Sequence, residues 1–304
     1  MLPIAVSLPL EDISQLMPTV ILGLLYARRA HTLAGGGAGG HTVPRWRQVC
    51  FYAGLLTILA ALLSPIGELS DELLYAHMVE HLLMGDIATL LIVLGLTGPL
   101  LAPVLRIRLF DRLRALAHPA IAFPLWAINM YVWHLPFFYQ AALRHLPVHI
   151  TEHAMFITFG INMWMCLFGP LPTPGWFGNL GRLVYIVAVR LTGTVLGNIF
   201  LWSGTVFYPF YLQGDAAHHI SPLADQNIAG AIMMVEESFL TLGLFCWLFL
   251  RTARESEERQ GLLDFAQAHG LELTETRAAR AVAAGAGAEL QRRLEGHISA
   301  RDRP

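Results

Sequence analysis

LLYAHMVEHLLMGDIATLLIVLGLT, residues 73–97, is a continuous apolar run broken only by His77, Glu80, His81 and Asp86 among its ionisable groups. A membrane-spanning helix needs about 20 mostly apolar residues, so this run is long enough to cross a bilayer. Ionisable side chains inside such a span are costly and mark function by default. The stretch therefore predicts two things together: a membrane helix, and a reason for that helix to carry histidines and acids.

The rest of the chain agrees with the first expectation. Of 304 residues, 55% are hydrophobic and 14% are charged, whereas a soluble domain carries about 25% charged residues. Mean hydropathy is +0.52. Further apolar runs at 12–29, 46–65, 119–141, 147–169, 181–203 and 227–250 give an all-α polytopic membrane bundle of about seven transmembrane helices. Glu11 and Asp12 precede the first run, which argues against a cleaved signal peptide.

All twenty basic residues are arginine, and net charge is −2, which excludes the basic field that nucleic acid needs. The arginines sort by loop. Arg28, Arg29, Arg45 and Arg47, then Arg106, Arg108, Arg112 and Arg114, then Arg182, then Arg251 and Arg254 fall on one side, and only Arg144 on the other. The positive-inside rule places the N-terminus outside and the C-terminus in the cytoplasm. AGGGAGG (34–40) is then a flexible cytoplasmic linker. Residues 1–250 form the transmembrane bundle, and 251–304, with nine arginines and nine acids, form a cytoplasmic helical or partly disordered tail. Cys50, Cys166 and Cys246 lie apart with no Cys-x-x-Cys, against a disulfide framework or a thiolate metal carrier.

On this topology the frame His-x-x-Glu-His occurs twice at one level, as HMVEH (77–81) and HITEH (149–153). At about 1.5 Å of rise per residue, His77 and His81 lie roughly 6 and 12 Å below the outer boundary, and His149 and His153 roughly 3 and 9 Å. His134, in WHLP, falls at a similar depth. Positions i and i+4 share a helix face, so each frame offers a pair of imidazoles, flanked by Glu80 and Glu152. The metal-ligand candidates are His77, His81, His134, His149 and His153, with Met84 and Met130 as weaker thioether candidates. Asp86 and Arg190 reach nearly the same depth in a core of about 30 Å and are expected to pair. Glu236 and Glu237 on the last span lie just beneath the histidines, and one of them is expected to face the bundle interior.

Three chemistries use such residues. His-x-x-Glu-His is an inverted zinc-hydrolase signature, but its duplication is awkward for a single active site. Bis-histidine haem binding would use one His from each facing helix. A copper site fits the residue types best, because imidazole and thioether suit copper and carboxylates can orient the rings.

HMVEHLL (77–83), WHLPFFYQAALRHLPVHITEHAMFITFGINMW (133–164) and ISPLADQNIAGAIM (220–233) resemble the integral-membrane CtaG family of cytochrome c oxidase assembly factors, over roughly residues 50 to 250. The positions that match are His77, His81, Trp133, His134, Glu152, His153, Asp225, Gln226 and Gly230. The resemblance implies a non-enzymatic assembly factor for a haem–copper oxidase in a bacterial-type cytoplasmic membrane. It would bind copper and deliver it to oxidase subunits on the outer face, with a copper chaperone as a further partner. Haem or zinc are the alternative cofactors. Trp133, Asp225, Gln226 and Glu236 become candidate binding residues, with Asp225 and Gln226 expected to cap the last span and to hydrogen-bond a ligand histidine. Two departures stand out: Gly85-Asp86 where the family tends to have Pro-Pro, and Glu236-Glu237 where it has small residues or Pro.

Overall fold

The computed structural model describes residues 10–35, 42–107, 116, 118–283 and 285–301. Arg108, Arg112, Arg114 and most of the glycine linker lie outside them. Among the described residues every regular element is helical. The first five are α1 (Leu10–Ala34), α2 (Arg45–Leu63), α3 (Pro65–Ser70), α4 (Leu74–Leu82) and, after a π-helical turn at Leu83–Ala88, α5 (Thr89–Gly95). Then come α6 (Gly98–Leu105), α7 (Pro119–Trp133), α8 (Pro136–Arg144), α9 (Leu146–Phe168) and α10 (Asn179–Trp202). The last are α11 (Leu212–Ala217), α12 (Pro222–Ala268), α13 (Glu275–Ala283) and α14 (Gly287–Arg301).

Proline sets several boundaries. Pro65, Pro119 and Pro136 stand in the first turn of their helices, where a missing N–H costs nothing. Proline also drives the preceding residue out of helical geometry, and Leu135 accordingly has φ −66° and ψ 132°. The run 119–141, expected as one span, is therefore two helices, α7 and α8, bent by 70°.

By length and hydropathy four helices can cross a membrane: α2, α4 through α5, α10 and α12, or five counting the bent pair. The runs 12–29 and 147–169 are helical as α1 and α9 but fall below that measure. Arg28 and Arg29 lower the hydropathy of α1; His149, Glu152 and His153 lower that of α9. The outward faces are nonetheless apolar: Leu56 is 63% exposed and Trp202 79% exposed. Water does not tolerate so many large exposed apolar side chains on one protein, and the chain is a membrane protein.

The chain divides into two compact units, 1–239 and 240–304. In the first, a core of Tyr26, Phe51, Leu55, Ile58, Met84, Ala88 and Ile92 binds α1, α2 and the α4–α5 stretch together. Arg47 closes the end of α5 by donating to the carbonyls of Leu94 (3.0 Å) and Leu96 (2.8 Å), which have no partner within the helix. In the second unit Leu262, Val282, Leu290 and Leu294 form a small core, so this stretch is helical and packed around its own apolar cluster.

The π turn matters for the site. Its wider turn lets Gly85 meet Gly160 of α9 so closely that a Cβ at 160 would strike the Gly85 carbonyl. Trp164 Nε1 donates to the Asp86 carbonyl (3.1 Å), and Thr89 Oγ1 donates to those of Gly85 (2.7 Å) and Asp86 (2.9 Å). These side chains satisfy carbonyls that the changed helical pitch would otherwise strand.

Candidate metal centre

The two frames meet. α4 presents His77 and His81, and α9 presents His149 and His153, all four buried. Their imidazoles form a closed ring: centroids are 4.3 Å apart for His77–His81, 5.3 Å for His81–His153, 4.1 Å for His153–His149 and 5.7 Å for His149–His77. One ligand atom each from His77, His81, His149 and Glu152 lies within 4.8 Å of the others. Both ring nitrogens of His81 and both carboxyl oxygens of Glu152 are buried with no hydrogen-bond partner. A buried polar atom left unsatisfied costs about 1–3 kcal/mol, so this concentration of them calls for a ligand. Glu80 is buried on α4 beside the ring but does not contribute to that donor group.

The first turn of α4 is set from a distance. Leu73, at the capping position, offers no side-chain oxygen. Asp225, at the start of α12, supplies both instead, accepting from Leu74 N–H (2.7 Å) and Tyr75 N–H (2.9 Å). Asp225 was expected to cap its own helix and bond a histidine; it caps the helix that carries His77 and His81. A carboxylate is well placed at that end of a helix dipole. Gln226 also stands away from the histidines: it accepts from Phe207 N–H (2.9 Å) and donates to the Thr205 carbonyl (3.0 Å), fixing the loop after α10. Beside Asp225 sits Asp215 of α11, whose carboxyl is pushed up to about 7 by burial and by its hydrogen bond to Asp225.

Tyrosines cover the ring. Tyr139 of α8 lies 5.2 Å from His77 and stacks on Tyr208 at 3.9 Å; its hydroxyl meets that of Tyr211 at 3.1 Å. Tyr208 donates to the His134 carbonyl (2.7 Å). Burial holds the hydroxyls of Tyr208 and Tyr211 far above the ordinary tyrosine range, so both remain protonated donors. The loop between α10 and α12, which carries Tyr208 and Tyr211, thus closes over the ring.

His134 does not join the four. It ends α7, its Nδ1 lies 2.7 Å from the Met130 carbonyl, and its Nε2 is buried without a partner. It lines a cavity of about 60 Å³ together with His81, Met78, Met130, Met233, Asp86 and Glu237. Trp133 donates to Asn129 Oδ1 (3.1 Å) and packs with Ala142 and Phe156. Met84, a thioether candidate from sequence, lies in the core with Phe51 and Ile92, within the π turn that starts at Leu83 and ends the regular helical spacing.

At the far side of the cavity the isolated ion pair expected from sequence is a cluster of four. Arg190 Nη1 donates to Asp86 Oδ2 (2.9 Å) and lies 3.1 Å from Glu237 Oε2. Glu236 completes a group of three carboxylates with donor atoms within 4.8 Å. Arg190 also lies 5.3 Å from the Trp164 ring, a cation–π contact. Gly193 leaves the space that the Glu237 carboxylate occupies. The site residues missed in the sequence are Tyr139, Tyr208 and Tyr211, which no spacing rule singles out, and Met78, which the His-Met-x-x-His frame displays.

The family described as cytochrome c oxidase caa3 assembly factor matches the chain over residues 24–255, a stretch that contains both histidine frames, the cavity and the acid cluster. No curated protein matches it, and no solved structure does.

Proposed function

The chain belongs to the cytochrome c oxidase caa3 assembly factor family, and on that premise we propose that it carries copper to the oxidase as cargo, held in the ring of His77, His81, His149 and His153. The observation that supports this most is the convergence of His77, His81, His149 and the Glu152 carboxylate within 4.8 Å, buried inside an apolar bundle, with the His153 ring 4.1 Å from that of His149 and 5.3 Å from that of His81. Imidazole binds copper through its neutral nitrogen. With no cysteine among the donors, the ion is held without the tight grip of a thiolate and can be passed on. Glu152 stands among the donors, and Glu80 beside them orients the rings or takes up protons. Asp225 and Gln226 hold the helix start and the covering loop, so they position the site rather than ligate.

The arginine distribution supports placing this end of the bundle at the outer face of a bacterial inner membrane. There an apo-oxidase subunit and a copper-supplying partner can dock. The packing supports one bound ion over haem or two separate hydrolase centres. The cavity adjoining the ring is about 60 Å³, small beside the roughly 300–1,000 Å³ of pockets for drug-sized ligands, which supports an ion rather than a haem. Both frames turn their histidines into one ring, which supports one shared site over two hydrolase centres.

The test is a strain whose only copy carries His81→Ala and His153→Ala. Its terminal oxidase is expected to be copper-deficient by metal analysis; a fully metallated oxidase refutes the delivery role. A Soret band in the purified wild-type protein would move the reading to haem.

A further inference from the structure

We infer that the cavity beside the ring is a second, softer subsite for Cu(I), formed by the thioethers of Met78, Met130 and Met233 with His81 and His134. This rests on the copper reading of the ring and extends it. The three methionines come from three different helices, α4, α7 and α12, and line one cavity of about 60 Å³. Methionine in a core ordinarily serves to fill irregular gaps, being unbranched and adaptable. Here three of them surround a gap that stays open.

Two further observations point to a cation as the occupant. His81 is 6% exposed, borders the cavity, and has neither ring nitrogen hydrogen-bonded; Nε2 of His134, across the cavity, is likewise buried and without a partner. A purely aliphatic cavity stays dry and needs nothing, but one with buried imidazole nitrogens does not. The volume exceeds the roughly 10–15 Å³ that one enclosed water needs, enough for one ion shed of its hydration. The carboxylates of Asp86 and Glu237 reach the same cavity and favour positive charge there, although Arg190 is bound to both.

The donor set selects the ion. Thioethers are soft ligands and prefer Cu(I), whereas Ca²⁺ and Mg²⁺ need several oxygens. His81 belongs both to the ring and to the cavity, so one imidazole can stay bound while the other ligands change from nitrogen to sulfur. The ion remains Cu(I) throughout, and no electron is exchanged.

The full-length protein in detergent, loaded anaerobically with Cu(I) from a competing Cu(I) chelator, tests this by copper X-ray absorption and affinity. Wild type is expected to show sulfur scatterers. Met78→Leu/Met130→Leu/Met233→Leu, a near-isosteric change, loses them and binds Cu(I) on the order of tenfold more weakly or worse, since even outer-shell changes cost 10–100-fold. Should the triple variant not fold, the three single Met→Leu variants each give a partial loss. His77→Ala/His149→Ala, which alters the ring only, keeps the sulfur-ligated ion. Wild type with nitrogen and oxygen scatterers alone, or methionine variants that match wild type, overturns the subsite. Failure of the ring itself shows separately, as nitrogen-ligated copper undiminished in His77→Ala/His149→Ala.

Discussion

Asp225→Ala removes the cap of a helix that lies far from it in sequence, and its cost follows from the geometry. The carboxylate accepts two short hydrogen bonds, 2.7 and 2.9 Å, from Leu74 and Tyr75. An exposed N-cap is worth about 0.5–2 kcal/mol, because water replaces it when it is lost. Here Asp225 is 1% exposed and Leu74 3% exposed, so water does not, and the larger cost of bonds to a charged acceptor applies. At about 1.5–3 kcal/mol for each bond, the Ala variant loses roughly 3–6 kcal/mol. Asn keeps one acceptor but turns an amide N–H toward the second donor, and loses about half that, roughly 1.5–3 kcal/mol. Typical stabilities are about 5–15 kcal/mol, so both variants should melt detectably lower in detergent, with Ala below Asn. His77 stands one turn inside the capped end, and copper affinity should fall with it. If Asp225→Asn melts with wild type and binds copper equally well, the cap does not set the ring.

Three further outcomes are expected. Arg190→Gln leaves Asp86 and Glu237 without their cation and should cost about 3–5 kcal/mol, while Asp86→Asn with Arg190→Gln should recover part of the loss; a double variant that melts no higher than Arg190→Gln contradicts the pairing. Asp215 has its carboxyl raised to about 7, so it favours the folded state below its unfolded value of about 3.9, and that contribution disappears as pH rises through about 7. Asp215→Asn keeps a donor to Asp225 without titrating, and should therefore gain on wild type as melting is measured from pH 5 to pH 8; a constant difference between the two sinks this assignment. Gly160→Ala drives a methyl group into the Gly85 carbonyl and should cost about 1–3 kcal/mol; an unchanged melting temperature means α9 and the π turn do not press together as described.

Much of the helical framework can be read from apolar runs, because a bilayer demands them and little else. The two histidine frames were legible for the same kind of reason: i,i+4 spacing fixes a face, and equal depth brings faces together. Depth arithmetic also brought Asp86 opposite Arg190, and the structure adds Glu236 and Glu237 to them. Features that depend on a break in regular geometry stayed hidden. The π turn at Leu83–Ala88 has no compositional mark, so the packing of Met84 against Phe51 and Ile92 is not readable from regular spacing, and Pro136 bends a run that hydropathy averages into one span. Asp225 was sequence-visible as a cap but not its target, since capping across 150 residues is decided by packing. The tyrosine cover over His77 joins Tyr139 of α8 to Tyr208 and Tyr211 of the loop after α10, a meeting of distant segments that no local spacing marks.

The most direct test of the central claim is the metal content of the purified wild-type protein beside that of His81→Ala/His153→Ala. Copper at about one ion or more per chain, held by nitrogen ligands and lost in the variant, is the result expected. Stoichiometric zinc or haem in place of copper, or copper undiminished in the variant, would contradict it.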